Sequence, residues 1–179
     1  DWPRLLPSDF RVRTLDGVAD DWPLRYSDLQ PFYQRTDEAF GVSGIEGDPA
    51  YPEGAGPPLP PLPIGSIGAR MARAHDKLGW HWWPAAQAVL SAPYRGRRPC
   101  VQFGACMQGC PEGAKASTDL THWPEATANG VRLLTGARVS RILMSSNGLA
   151  AGAEFVRLDG SWDTVHADVV ILAANAIGT

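Results

Sequence analysis

The sequence predicts a mixed α+β/α/β chain in which an antiparallel β-meander feeds one buried parallel strand, preceded by helical and Pro-rich segments. Three observations carry this expectation. Most of the 16 prolines fall in the first 111 residues, so regular structure there is interrupted. Two stretches of that half, 28–40 and 66–78, nevertheless place apolar residues at helical spacing. From residue 131 onward the apolar period switches to two, and the chain then runs into a continuously apolar segment over 167–175.

Taken in order, Asp1-Trp2-Pro3 and Leu6-Pro7-Ser8-Asp9-Phe10 read as extended segments lying on other structure, because proline breaks both helix and ladder. Ser27 is a good N-cap for a helix over 28–40, with Leu29, Phe32, Tyr33, Thr36 and Phe40 on its apolar face and Gly41 as its stop. Residues 43–65 are rich in glycine and proline, and their recurring leucines favour an arm draped over a larger body. A second helix follows over 66–78, striped by Ile67, Met71, Ala74 and Leu78 and closed by Gly79. His75 beside that stripe reads as structural or surface. Trp80-His81-Trp82-Trp83-Pro84 reads as an alternating aromatic strand or extended segment, whose tryptophans could line a substrate cleft or, the favoured reading, cover the helix before them.

Past residue 113 a helical pattern is broken at Pro124 and closed by Asn129-Gly130. Strands are expected at 131–134, 137–144, 150–158 and 161–165, with tight turns at Asn147-Gly148 and Asp159-Gly160. The segment over 167–175 is expected as a strand buried on both faces, opening into a small-residue turn. Such a strand needs parallel neighbours, and nothing before residue 131 offers one. The chain therefore reads as an internal piece that lacks an upstream strand-turn-helix and a downstream continuation.

Charge is nearly balanced, 16 basic against 19 acidic residues, which argues against an electrostatic partner such as nucleic acid. No apolar run approaches the ~18 residues that span a bilayer, and the N-terminus carries no signal-peptide pattern.

The sulfur chemistry is concentrated at one place. All three cysteines lie in Cys100-Val101-Gln102-Phe103-Gly104-Ala105-Cys106-Met107-Gln108-Gly109-Cys110-Pro111. Laid over the bacterial ferredoxin run, three of the four thiolate positions match and Phe103 stands at the fourth. A cubane short of one thiolate corner settles as a three-iron four-sulfur (3Fe-4S) cluster, and thiolates are soft ligands suited to iron. Three other readings stay open: a disulfide with one thiol left over, a zinc site completed by His81 or His122, and three inert thiols.

Several blocks resemble the glucose-methanol-choline (GMC) oxidoreductases. They are Asp21-Trp22-Pro23-Leu24-Arg25-Tyr26-Ser27-Asp28-Leu29-Gln30-Pro31-Phe32-Tyr33 with Gly41-Val42-Ser43-Gly44, Gly109-Cys110-Pro111-Glu112-Gly113-Ala114-Lys115-Ala116-Ser117, Gly136-Ala137-Arg138-Val139-Ser140-Arg141-Ile142, and the terminal Ala-Ala-x-Ala-Ile-x-Thr turn. Within that family the cysteine spacing is similar to flavoprotein subunits of bacterial iron-sulfur sugar, polyol and gluconate dehydrogenases. The resemblance implies a fragment of an FAD-binding domain divided as 1–95 beside the substrate domain, 96–118 as cluster loop and 119–179 as part of the FAD-binding domain. It implies FAD held in part by Val139, Ala173 and Ala174, and a 3Fe-4S cluster held by Cys100, Cys106 and Cys110.

The activity implied is oxidation of a CH–OH group of a sugar, polyol or aldonate, with electrons leaving flavin through the cluster to an external acceptor. The alternatives are a GMC-type alcohol oxidase or dehydrogenase without a cluster, and a non-catalytic iron- or zinc-binding electron-transfer module. The implied partners are a cytochrome c subunit and a small accessory subunit, at the periplasmic face of the inner membrane, with a cytoplasmic location as the alternative. None of His75, His81, His122 or His166 sits in a block matching the family's catalytic histidine, so no catalytic residue is assigned.

Overall fold

The computed structural model describes residues 1–175, which divide after Asn129 into two compact units. Residues 96–118 and 119–129 both fold within the first of them.

The first unit is held by irregular backbone pairing. Ser43 bridges Leu59 in parallel and Gln87 in antiparallel fashion, and Val89 bridges Lys115. Around these bridges run Ser43 N–H to Gln87 O at 2.9 Å, Gln87 N–H back to Ser43 O at 2.9 Å, Leu90 N–H to Ala114 O at 3.0 Å and Ala116 N–H to Ala88 O at 2.8 Å. Prolines and glycines keep each segment too short for a full strand, yet the amides that are buried still find partners. Two small cores sit on this ladder. Phe40, Val42 and Ala116 form one, and Leu59, Leu90 and Ala114 form the other. The arm over 43–65 is thus draped as its leucines suggest, with Leu59 buried.

The same unit carries five helices. Residues Pro7–Arg11 form a 3-10 turn where extended chain was expected over 6–10, and Val12–Asp16 follow as a short helix α1. The reason is local: Pro7 occupies the first helical position, where it loses no bond, and Asp9 Oδ2 accepts the Leu6 N–H at 2.6 Å. The helix α2 spans Tyr26–Phe40. Arg25 rather than Ser27 stands at its N-cap, because Asp28 reaches back to accept the Arg25 amide at 2.8 Å. Its buried positions are Tyr26, Asp37 and Phe40, while Phe32, expected on the apolar face, is 56% exposed.

Helix α3 spans Gly65–Leu78 and ends on left-handed Gly79, as the spacing predicts. Its orientation is a correction. Ala72 is the buried residue, and the stripe of Ile67, Met71 and Leu78 is exposed. The aromatic run after it is not a strand. Its residues are irregular and tied singly, Trp82 Nε1–H to Asp76 at 2.8 Å and Trp83 Nε1–H to the Ile45 carbonyl at 3.0 Å. Helices α4 (Thr118–Thr121) and α5 (Trp123–Ala128) split at His122, with Pro124 in the first turn of α5, where its missing N–H costs no helical bond.

The second unit carries the meander in the order β1-β2-β3, over Ala137–Met144, Ala150–Arg157 and Trp162–His166, all antiparallel. Gly148 and Gly160, at φ of +78° and +83°, make the two turns that Asn-Gly and Asp-Gly predict. Phe155 is the buried anchor. Residues 131–134 form no strand, and neither does the run from 167: Val169, Ile171 and Leu172 are exposed. The Ala167 N–H still donates to the Ala151 carbonyl of β2 at 3.1 Å, but beyond it no parallel strand lies beside the run among the described residues. The last four residues of the expected terminal turn, 176–179, lie outside the described residues.

One buried polar group was not foreseen. Asp37 is 3% exposed, accepts the Trp2 indole N–H at 2.9 Å and pairs with Arg4. Burial alone would lower the Arg4 pKa, but its hydrogen bonds to Asp37 and Tyr26 and the charge of Asp37 raise it above the ordinary value. Replacing Asp37 by Ala strands a guanidinium and an indole N–H together. Asp37→Ala is expected to cost about 2–4 kcal/mol of unfolding free energy in urea titration, and Asp37→Asn, which keeps an acceptor for Trp2, distinctly less.

Candidate functional site

The cysteine loop is clamped at both ends to the same short segment of the ladder. The Cys100 N–H donates to the Leu90 carbonyl at 2.8 Å, and the Leu90 N–H donates to Ala114 at 3.0 Å. Leu90 therefore fixes the backbone on either side of the loop. Cys100 and Cys110 pack against the buried trio of Leu59, Leu90 and Ala114, which keeps two of the three thiols against apolar surface.

Between these ends the chain turns sharply. Gln102, Gly104 and Gly109 all take positive φ, at +56°, +81° and +106°. Glycine accepts such angles at no steric cost, whereas Gln102 is held there by its surroundings, its amide donating to Cys100 Sγ at 3.3 Å. The outcome is a small cleft lined by Cys100, Cys106 and Cys110 together, with Phe103 and Pro111 on its walls. All three thiols are free.

The donors around Cys110 favour its thiolate. The Lys115 amide, then those of Ala114, Glu112 and Gly113, point at Cys110 and hold its thiol below the ordinary pKa, against the opposing effect of burial. A run of backbone N–H groups after a turn is an anion-binding concavity. Lys115 also sends its ammonium to the Cys106 carbonyl at 2.9 Å, and its backbone is bridged to Val89. One residue thus ties the ladder, the middle of the loop and the last thiol. Sequence reasoning did not single out Lys115, although it stands five positions after Cys110.

These features fit a sulfur-ligated cluster in donor chemistry. Among the described residues no set of three or more His, Cys, Asp or Glu is gathered around one metal-ion position.

The expected flavin contacts lie in the second unit. Val139 sits on β1, an edge strand, opposite Phe155, and is 57% exposed. The β1–β2 register slips between Val139 and Arg141, so Ser140 is a bulged residue directly after Val139. A bulge on an open edge leaves backbone groups unclaimed by the ladder, which suits main-chain recognition of a flat heterocycle. Ala173 and Ala174 are exposed in irregular chain. Their small side chains suit close approach of a ligand, but the buried strand expected to carry them is not formed.

The histidines are scattered. His75 on α3 packs edge-on to Trp80 at 5.6 Å, His81 Nε2 lies 2.9 Å from Asp48, His122 lies 5.1 Å from the Phe40 ring, and His166 is exposed on β3. No two of them meet.

The family model of the GMC oxidoreductases matches residues 65–179. The chain is 40% identical over 182 residues to a 2-methyl-1,2-propanediol dehydrogenase of Mycolicibacterium austroafricanum, covering 99% of the chain and 33% of that protein. It is 29% identical over 179 residues to the large subunit of fructose dehydrogenase of Gluconobacter japonicus, covering 98% and 33%. A 6'''-hydroxyparomomycin C oxidase of Streptomyces lividus is 32% identical over 181 residues, covering 97% and 33%. The chain spans about a third of the length of these relatives.

The Lys115 tie has a measurable consequence in metal-free protein. Lys115→Met removes the donor to the Cys106 carbonyl and is expected to raise amide hydrogen exchange across 103–109 about tenfold, as one lost charge-assisted bond implies. Exchange in β1–β3 stays unchanged, and Lys115→Arg restores most of the protection.

Proposed function

This chain belongs to the GMC oxidoreductases, and from that premise we propose that the whole protein is an FAD-dependent dehydrogenase that oxidises a CH–OH group of a sugar, polyol or aldonate. In this reading Cys100, Cys106 and Cys110 hold a 3Fe-4S cluster, and electrons leave by way of an external acceptor. The observation that carries it is the convergence of all three free thiols on one cleft, with backbone donors turned toward the sulfurs. When bound, FAD supplies hydride acceptance and the cluster supplies one-electron transfer.

The work left to this chain's residues is to hold and orient. Leu90 and Lys115 keep the loop backbone in place. The amides of 112–115 stabilise negative charge on Cys110. Val139 offers main-chain groups beside the bulge to the adenine of FAD, and Ala173 and Ala174 leave room for the dinucleotide. No residue of the chain is assigned a proton-transfer role.

The acceptor in this proposal is a cytochrome c subunit, with a small accessory subunit, at the periplasmic face of the inner membrane; a cytoplasmic enzyme is the alternative. Both rest on family resemblance. Among the described residues no helix is long and apolar enough to cross a membrane. A second reading, an alcohol oxidase or dehydrogenase without a cluster, draws support from the oxidase among the relatives.

Full-length protein separates the two. Cys100→Ser, Cys106→Ser and Cys110→Ser are each expected to leave substrate-driven bleaching of the flavin band intact while reduction of a cytochrome acceptor falls to background. The broad iron-sulfur absorbance should disappear with it. Variants that reduce the acceptor at the wild-type rate would overturn the cluster assignment and leave the family assignment standing.

A further inference from the structure

We propose that a cavity of about 680 Å3 in the Asp1–Asn129 unit binds a polyhydroxylated molecule that carries no carboxylate. It deepens the reading above by choosing within sugars, polyols and aldonates, and it rests on that reading for the ligand class. The cavity is separate from the cysteine cleft, with which it shares no lining residue.

Its walls combine flat apolar faces with oxygen acceptors. Trp2, Tyr51 and Trp83 supply the rings, and Arg4, Asp37, Glu46, Asp48 and Glu53 supply the polar groups. Aromatic faces take the C–H side of a sugar or a folded sugar alcohol, while carboxylates accept pairs of hydroxyl protons. A volume of several hundred Å3 with a few converging polar groups is the usual form of a small-molecule site.

The walls are tied to one another before any ligand arrives. The Trp2 amide donates to Ala86 O at 2.7 Å, and its indole donates to buried Asp37 at 2.9 Å. Tyr51 O–H donates to the Arg4 carbonyl at 3.0 Å, and Trp83 Nε1–H donates to the Ile45 carbonyl at 3.0 Å. His81 holds Asp48 at 2.9 Å and stacks on Trp83 at 6.3 Å between ring centres. Burial, and then the charge of Asp48, raise the Tyr51 pKa, so its phenol keeps the proton with which it clips Arg4. The loop over 45–57, glycine- and proline-rich as it is, is therefore fastened at three points.

Charge decides which polyols fit. Asp37 is neutralised by Arg4 and Asp48 faces His81, while Asp1 accepts from Gln87 at 2.8 Å. Among the described residues the side-chain carboxylates of Glu46 and Glu53 have no hydrogen-bond or ion-pair partner, and Arg4, already paired with Asp37, is the only Lys or Arg on the walls. A carboxylate on the ligand meets uncompensated negative charge, a neutral hydroxyl meets acceptors, and an ammonium meets counter-ions.

The test reads binding without turnover, by saturation-transfer NMR on full-length holoenzyme with sorbitol, glucosamine and gluconate as probes. Sorbitol and glucosamine are expected to bind, glucosamine the tighter, with gluconate about tenfold weaker than sorbitol. The double variant Glu46→Gln/Glu53→Gln, at exposed positions that leave the fold intact, is expected to bring gluconate and glucosamine together. Gluconate binding as well as sorbitol, discrimination unchanged in the double variant, or no binding by any probe would each overturn the proposal. If wild-type protein binds sorbitol as expected but no alcohol bleaches the flavin, the dehydrogenase reading fails while the cavity stands.

Discussion

The hydrogen bonds that run through Leu90 are the constraint on which the first unit depends. A segment with this much proline and glycine cannot build a continuous sheet, so each buried amide has to be satisfied by a single, specific partner. Leu90 gives its N–H to Ala114 and its carbonyl to Cys100, with its side chain fully buried between the two. The cysteine loop therefore begins and ends at one residue, and its shape is inherited from the ladder rather than from the loop's own sequence. Gly41 shows how closely this region is packed. It sits at φ +71°, and an added Cβ would lie 2.5 Å from Leu90 Cδ2.

A second constraint is electrostatic. Asp37 lies inside the unit on α2 and would be costly there alone. Arg4 and the Trp2 indole, both from the N-terminal segment, satisfy it and in doing so fasten that segment across the helix. The same residues form one wall of the large cavity, so a packing requirement and a binding surface are met by one network. The cysteine cleft works on a different principle: its donors are backbone amides, which lose no side-chain entropy when they engage sulfur.

Much of the secondary structure was legible, and the departures have identifiable causes. The β-meander followed from alternation and two turn dipeptides, which are local signals. Helix α3 was legible from its spacing and its glycine stop, yet its buried face was not. Ile67 and Met71 look like core residues, but they are exposed and Ala72 is the buried one. Ser27 looked like the N-cap of α2 until Asp28 was seen to claim the Arg25 amide. The segment from 167 was read as buried on both faces, and it stands exposed because a parallel strand is defined by neighbours that the described residues do not include.

The three cysteines were visible as a site from spacing alone, because thiolates within eleven residues and flanked by glycines can reach one place by local geometry. Sequence by itself thus determined the clustering of the three cysteines, the turn chemistry and the family blocks, all of which are properties of short stretches. Lys115 as a tie, Asp37 as a buried partner and the cavity between residues 1–4 and 45–57 were decided by tertiary structure. They join positions up to several dozen residues apart, and no local pattern encodes which distant carbonyl an ammonium will find.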